Sequence, residues 1–97
     1  MDIRVTPRAR KYLQEKEASE VTLYLVDIES SGSIDSVKEV GVSLKPPKRP
    51  EHFMHDRAEG FDIYVDRKLR IIGPIVIRKQ GFWKLASLYA DGLQIPI

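Results

Sequence analysis

The sequence predicts an α+β fold in which one N-terminal amphipathic helix lies on a mixed, strongly curved sheet of short strands. A single helical pattern stands near the start of the chain, and short alternating apolar segments separated by Gly and Pro fill the remainder. The 97 residues, 42% of them hydrophobic and 31% charged, have the composition of a globular protein. We therefore expect one domain over residues 1–97.

The helix is predicted to begin at the dipeptide Thr6-Pro7. Threonine is a favoured N-cap, and proline lacks the N–H group that would otherwise be unpaired in the first turn. An apolar stripe follows at helical spacing, formed by Ala9, Tyr12 and Leu13. A helix over residues 7–17 is expected, and it must pack on a sheet because it is short.

Alternating apolar residues predict strands in the rest of the chain. The segment 21–28 is apolar on both faces, which is typical of a central strand. The other strands are expected at 3–5, 40–44, 61–65, 75–77, 83–89 and 93–97. Gly73-Pro74 is expected to break the chain, and Asp91-Gly92 suits a two-residue hairpin turn. Prolines predict that 45–59 is the longest irregular stretch.

A serine-rich loop over residues 29–33 follows the predicted central strand. The chain has no cysteine, and serine lacks the ionisable sulfur that thiolate chemistry and soft-metal ligation require. Ser30, Ser31 and Gly32 are the candidate binding residues of this loop. The alternative is an ordinary turn, since Ser and Gly favour turns through local hydrogen bonds and backbone freedom. No histidine adjoins the loop in sequence, so an activated serine nucleophile is not predicted.

The two histidines, His52 and His55, are weak candidates for a metal site. Their spacing of three would place them on one face of a helical turn, with Glu51 and Asp56 as oxygen ligands. A solvated loop after Pro50 is the alternative. Carboxylates also share one face of a predicted strand at Asp62 and Asp66, with Tyr64 between them, and either acid–base chemistry or a solvated face is consistent with that pattern.

The charge pattern limits the partners that we expect. The net charge is +2, with −2 over residues 1–44 (6 Lys/Arg, 8 Asp/Glu) and +4 over residues 45–97 (10 and 6). A basic half can attract phosphates, but its cations alternate with acidic and apolar residues, so no nucleic-acid partner is expected. No apolar run approaches about 20 residues, so no membrane partner is expected either. The charged start and the absence of cysteine predict a cytoplasmic location.

Five segments taken in order carry a family resemblance. They are residues 3–13, 21–27, 41–47, 60–69 and 81–85. Together they resemble the HesB/IscA-like fold of the A-type iron–sulfur carriers. Within it they are most similar to a small branch named for a CC/Se motif, a Cys-Cys or Cys-selenocysteine pair. The resemblance implies a single HesB-like domain.

The departures from that family decide the functional expectation. The family's motif pair falls after the second strand and before a glycine, where this chain has Ser30 and Ser31 before Gly32. The late Cys-x-Cys of the carriers is absent from the end of the chain, residues 92–97. The resemblance therefore implies a non-enzymatic accessory protein near iron–sulfur or redox metabolism, without cysteine ligands and without a cofactor. Whether the serines are native or replace a cysteine pair stays open.

Other functions remain as alternatives. One is a small enzyme or binding protein that uses loop 30–33, His52/His55 and the basic second half for an anionic ligand or a metal. Another is a homo-oligomer formed through exposed strand edges and the apolar tail, residues 93–97. The pair Phe82-Trp83 is expected to pack in the core or on a hairpin, and the alternative is that an exposed Trp83 marks a surface for an unknown protein partner.

Overall fold

The computed structural model describes residues 1–29 and 36–96, which form one α-helix and seven strands. In chain order the elements are β1 (Ile3–Val5), α1 (Pro7–Glu15), β2 (Glu20–Glu29), β3 (Ser36–Ser43), β4 (Phe53–Ala58), β5 (Phe61–Asp66), β6 (Arg70–Gln80) and β7 (Ser87–Gln94). Single 3-10 turns lie at Pro50–His52 and Trp83–Leu85. The α+β class is confirmed.

The strands form two mixed sheets rather than the one sheet that was expected. The first has the order β3-β2-β5-β4, with β2 parallel to β5 and antiparallel to β3. The second has the order β1-β6-β7, with β1 parallel to β6. The central position of β2 is confirmed. The alternating pattern predicts which residues face the core, but it does not specify which strands pair.

Helix α1 begins where the sequence predicts. The Thr6 hydroxyl accepts a hydrogen bond from the Ala9 amide at 3.2 Å, and Pro7 is the first helical residue. The helix ends at Glu15, two residues early, and Glu17 has the left-handed conformation (φ 55°) that follows many helix ends. Ala9 and Leu13 are fully buried.

A single cluster of apolar side chains forms the core. Its members come from β1, α1 and strands of both sheets: Val5, Ala9, Leu13, Val21, Leu23, Phe61, Ile63, Val65, Leu69, Ile75, Ile77 and Leu88. Burial of each large side chain contributes about 1.5–3 kcal/mol. Alternation along β2 and β5 leaves Tyr24 and Tyr64 on the other face of the four-stranded sheet, half-buried.

The segment 45–59 is more regular than predicted. Its second half is strand β4, which pairs antiparallel with β5 from Phe53 opposite Asp66 to Ala58 opposite Phe61. The expectation of an irregular stretch was wrong because the prolines end at position 50, and the residues after them are free to pair.

Two predicted breaks lie inside strands. Strand β6 runs through Gly73-Pro74, and Asp91-Gly92 belongs to β7 instead of forming a hairpin turn. Ile71 pairs with Leu93 and Val76 with Asp91, so four residues of β6 oppose the single residue Gly92. Gly73-Pro74 and Asp91-Gly92 therefore lie on the two sides of one bulge between β6 and β7.

The hairpin that joins β6 to β7 closes at residues 81–86. Residues 83–85 form a 3-10 turn, not the start of the strand predicted over 83–89. Phe82, Trp83 and Leu85 are 74%, 89% and 82% exposed. The expectation that Phe82-Trp83 packs in the core was wrong, because these residues lie beyond the last pair of the hairpin, Gln80 opposite Ser87.

Candidate functional site

A groove of about 750 Å³ lies between the four-stranded sheet and the segment that follows β3. We call it the proline groove. It is lined by Thr22, Tyr24, Leu25, Ser43, Lys45, Pro46, Pro47, Lys48, Arg49, His52, Phe53 and Asp66.

Two side chains of the sheet hold the proline segment in place. The Thr22 hydroxyl donates to the Lys45 carbonyl at 2.6 Å, and the Lys45 amide donates to Ser43 Oγ at 3.2 Å. Pro46 and Pro47 have no amide hydrogens, so the chain cannot continue as a ladder-forming strand and leaves the sheet. The first rim of the groove is therefore fixed to β2 and β3.

The second rim is attached to the turn after β5. The His52 amide donates to the Arg49 carbonyl at 3.0 Å, and the Arg67 amide donates to the His52 carbonyl at 3.1 Å. Arg67 Nε also donates to the Glu51 carbonyl at 3.4 Å. These bonds hold the 3-10 turn Pro50–His52 against the sheet, which keeps the groove open between two anchored segments.

The carboxylate of Asp66 lies at the floor and is 9% exposed. Its Oδ1 accepts from the Lys68 amide at 2.9 Å, and its Oδ2 accepts from the Leu25 amide at 3.4 Å. These bonds join β2 to the turn that follows β5, so Asp66 has a structural role. Each of the two oxygens keeps a further lone pair, and Asp66 lines the groove.

The charges on the rim are mostly positive. Lys45, Lys48 and Arg49 are exposed, and His52 adds an imidazole. Within residues 1–29 and 36–96, none of these four side chains takes part in an ion pair. Asp66 is the only acid among the lining residues that are described. Among the described residues, the Lys and Arg side chains of the rim thus have no ion-pair partner, and they share the groove with one buried carboxylate.

The other predicted histidine belongs to a separate cluster. His55 lies on β4, with Nε2 at 2.8 Å from Asp62 Oδ1 and its ring stacked on Tyr64 at 4.6 Å between centroids. Arg57 Nη1 lies 3.9 Å from the same Asp62 oxygen. Asp62, Tyr64 and Asp66 lie at alternate positions of β5, as expected, but Asp62 is paired with His55 while Asp66 lines the groove.

The helical turn expected to join His52 and His55 is not formed. The chain enters β4 at Phe53, so the two residues lie in different elements. In the described part of the chain, no three or more His, Asp or Glu side chains are grouped so that they could hold a metal ion. Metal binding by these histidines therefore stays a prediction, and no third ligand is grouped with them in the described part of the chain.

Comparison with known proteins identifies the family. A model of the CC/Se motif containing family matches residues 1–93. The chain belongs to this family. No curated protein and no solved structure matches the chain. The match confirms the closer branch of the resemblance drawn from the sequence.

The serine loop of this CC/Se motif protein lies outside the described residues, and with it Ser30, Ser31 and Gly32. Of the groove residues on β2, Leu25 lies nearest to the strand end in sequence, four positions before Glu29, or about 13 Å at about 3.3 Å per residue. The alternative function that combined this loop with the histidines stays a prediction.

Sequence reasoning missed most of the groove of this CC/Se motif protein. The alternating pattern places Thr22, Tyr24 and Ser43 on strands but predicts no role for them, and the charge pattern includes the cations at 45–49 only as part of a basic half. A local signal was present: residues 45–50 contain three cations, three prolines and no acid. Residues that cannot form helix or ladder and carry one sign of charge indicate an exposed anion-binding segment.

The helix of this CC/Se motif protein is too short to cross a bilayer. α1 has nine residues where a crossing takes about 20, and no other described helix is longer.

Proposed function

We propose that this CC/Se motif protein is a non-enzymatic accessory protein that binds a small anionic ligand in the proline groove. The observation that carries the proposal is the group Lys45, Lys48, Arg49 and His52 around one groove, without a described ion pair. A concave surface whose charges are mostly of one sign attracts ligands of the opposite sign.

The groove also favours a particular ligand chemistry. A phosphate or carboxylate group would contact the rim cations, where Arg49 can form a bidentate pair. A hydroxyl or amine of the same ligand would donate to Asp66, since an ionised carboxylate only accepts. Tyr24, Phe53 and the prolines supply apolar walls to a small organic molecule. An anion without a donor group would meet repulsion from the Asp66 carboxylate.

The hydroxyls of the groove support a binding role over catalysis. The Thr22 hydroxyl donates to a backbone carbonyl, and the Ser43 hydroxyl accepts from a backbone amide. His55 is hydrogen-bonded to Asp62 rather than to a hydroxyl. A nucleophilic serine or threonine needs a base within hydrogen-bond reach, and none of these described groups is paired in that way.

We also propose that the domain shares the HesB/IscA-like fold and acts near iron–sulfur or redox metabolism without carrying a cluster itself. The ordered sequence resemblance and the family match support the relationship. The residues do not fit a cluster, because the chain contains no cysteine and clusters are held by thiolates. Anaerobic reconstitution with iron and sulfide should therefore give no stable visible chromophore, and its appearance would overturn the claim.

Inorganic phosphate and glycerol phosphate test the groove. A thermal-shift experiment on the full chain should show a rise of several degrees with glycerol phosphate and a smaller rise with phosphate, since a ligand at a hundred times its Kd stabilises by about 2.7 kcal/mol. The variant K48Q/R49Q should lose both shifts. The matched control R70Q removes an exposed cation outside the groove and should keep them. Equal shifts in all three proteins would refute the site.

A further inference from the structure

The tip of the β6–β7 hairpin exposes three large apolar side chains. Phe82, Trp83 and Leu85 are 74%, 89% and 82% exposed, and they line one shallow apolar surface together with Lys84. We call residues 82–85 the hairpin tip. Single exposed apolar residues are ordinary on a protein surface, but a contiguous group of them indicates an interaction site.

The backbone holds these side chains outward. The Leu85 amide donates to the Phe82 carbonyl, and the Ala86 amide donates to the Trp83 carbonyl, both at 3.2 Å. Gly81 precedes the tip with φ 71°, and a Cβ at that position would lie 2.5 Å from the Leu85 carbonyl oxygen. The tip is therefore a closely packed turn that needs glycine at its entry.

The backbone conformation of Trp83 is unfavourable for a residue with a Cβ. Its φ is 59°, in the left-handed region that is costly for residues with a Cβ, and its ring is almost fully exposed. Strained residues of this kind are concentrated at functional sites. Backbone strain together with an exposed ring indicates that the tip contacts another molecule.

Cations occur in the tip, on β6 and on α1. Lys84 belongs to the tip, and Lys79 on β6 lines small clefts with Arg8 and Lys11 of α1. The Tyr12 hydroxyl donates to the Ala86 carbonyl at 3.4 Å, which holds α1 beside the hairpin. None of these four cations is in an ion pair among the residues described, while Glu15 is the one acid that lines the same clefts.

We propose that the hairpin tip inserts into the interfacial region of a lipid bilayer with anionic headgroups. Tryptophan is enriched at the bilayer interface, Phe and Leu are buried there by interfacial segments, and Lys and Arg are attracted to anionic lipids. A tip of three apolar side chains is smaller than the roughly 800 Å² per partner of a standard protein interface, whereas insertion into a bilayer needs no complementary partner surface. The proposal departs from the sequence-based expectation of no membrane partner. That expectation rested on the absence of a long apolar run, which a surface contact does not require.

The chain contains one tryptophan, Trp83, so its fluorescence reports on the tip alone. The full chain is mixed at low salt with phosphatidylcholine vesicles that contain or lack phosphatidylglycerol. With phosphatidylglycerol we expect co-sedimentation, emission at shorter wavelength and protection from iodide quenching, all reduced by added salt. Unchanged emission together with no co-sedimentation would overturn the proposal.

Variants separate the apolar and the charged parts. F82S/L85S keeps the reporter and should weaken vesicle binding about ten-fold or more, a difference of about 1.4 kcal/mol or more. K79Q/K84Q should lose binding to phosphatidylglycerol vesicles by a similar factor. The matched control I72S removes a 64% exposed apolar residue near the start of β6 and should bind as the parent does. Thermal melts establish that each variant is folded, and an equal loss in I72S would contradict the proposal.

Two other partners give distinct results. Single-stranded RNA is titrated with Trp83 quenching as the signal. An affinity for RNA higher than that for phosphatidylglycerol vesicles would replace the proposal with base stacking on the tip. A dimer by light scattering that F82S/L85S abolishes would replace it with self-association. Vesicle binding by a monomer, with weaker RNA binding, supports the bilayer.

Discussion

The ring of Tyr24 occupies the space that a side chain at position 41 would need. Tyr24 and Gly41 are direct partners across the β2–β3 ladder, and a Cβ built at Gly41 would collide with the ring atoms of Tyr24. Because Tyr24 also lines the proline groove, the glycine on one strand determines the shape of the groove wall on the next. Aromatic side chains commonly cover a cross-strand glycine in this way.

Replacing Gly41 with alanine should therefore lower the free energy of unfolding by about 1–2 kcal/mol, because overpacking outweighs the usual gain from removing a strand glycine. Urea denaturation measures the change. Gly73→Ala is the matched control, since a Cβ there meets nothing within 4 Å and its φ is outside the left-handed region. We expect the control to be as stable as the parent or more stable by up to about 1 kcal/mol, the usual gain from removing a strand glycine. Equal stability of the two variants would contradict the assigned contact.

Gly92 and Gly60 have the same φ, 88°, but different surroundings. A Cβ at Gly60 meets nothing within 4 Å, whereas a Cβ at Gly92 would collide with the Pro74 carbonyl across the bulge. Gly60→Ala should cost about 1–2 kcal/mol for the left-handed backbone alone. Gly92→Ala should cost at least about 3 kcal/mol, since it adds a clash with backbone that cannot rotate away.

Chemical denaturation of both variants, followed by circular dichroism, gives the difference directly. A Gly92→Ala variant as stable as Gly60→Ala would mean that β6 and β7 can move apart at the bulge without lowering the free energy of unfolding. A Gly60→Ala variant as unstable as Gly92→Ala would mean that the backbone conformation, not the contact with Pro74, determines the requirement for glycine.

Gly92 also explains why some elements could be predicted from the sequence and others could not. The Asp91-Gly92 dipeptide correctly indicates a positive φ, but not whether that residue lies in a hairpin turn or opposite a bulge. The bulge depends on Pro74, which is distant in sequence and adjacent in space. The start of α1, by contrast, depends on Thr6 and Pro7 alone, and local rules predict it.

The candidate site also depends on contacts between residues that are distant in sequence. The groove combines Thr22 and Asp66, whose strands β2 and β5 become neighbours only through sheet pairing, with a segment that follows β3. Periodicity predicted that the side chains of each strand alternate, and this is what the structure shows. The pairing of the strands, which brings cations above Asp66, is a tertiary property. Ser30 and Ser31, the residues that the family resemblance singled out, lie outside the described residues.

A substitution at Trp83 tests whether its side chain lies on the surface or in the core. The ring is 89% exposed, so Trp83→Gly loses little packing and relieves the left-handed backbone. The free energy of unfolding should therefore stay equal or rise by up to about 1 kcal/mol. A core tryptophan would instead lose about 3–5 kcal/mol on truncation. Urea denaturation followed by circular dichroism measures the change, since the variant has no tryptophan left. Leu88→Ala, at a residue of the core cluster, is the control that should be destabilised.

The histidines give the last prediction. His55 Nε2 is bonded to Asp62, His52 lies in a different element, and no third ligand is grouped with them among the described residues. A structural zinc site uses four ligands and a catalytic one uses three from the protein. Isothermal titration with Zn²⁺ or Ni²⁺ should therefore show no binding tighter than about 10 μM, which corresponds to about 7 kcal/mol. The double variant H52A/H55A should give the same weak heats as the parent. Tight, stoichiometric binding that disappears in H52A/H55A would instead establish a metal site at these two residues.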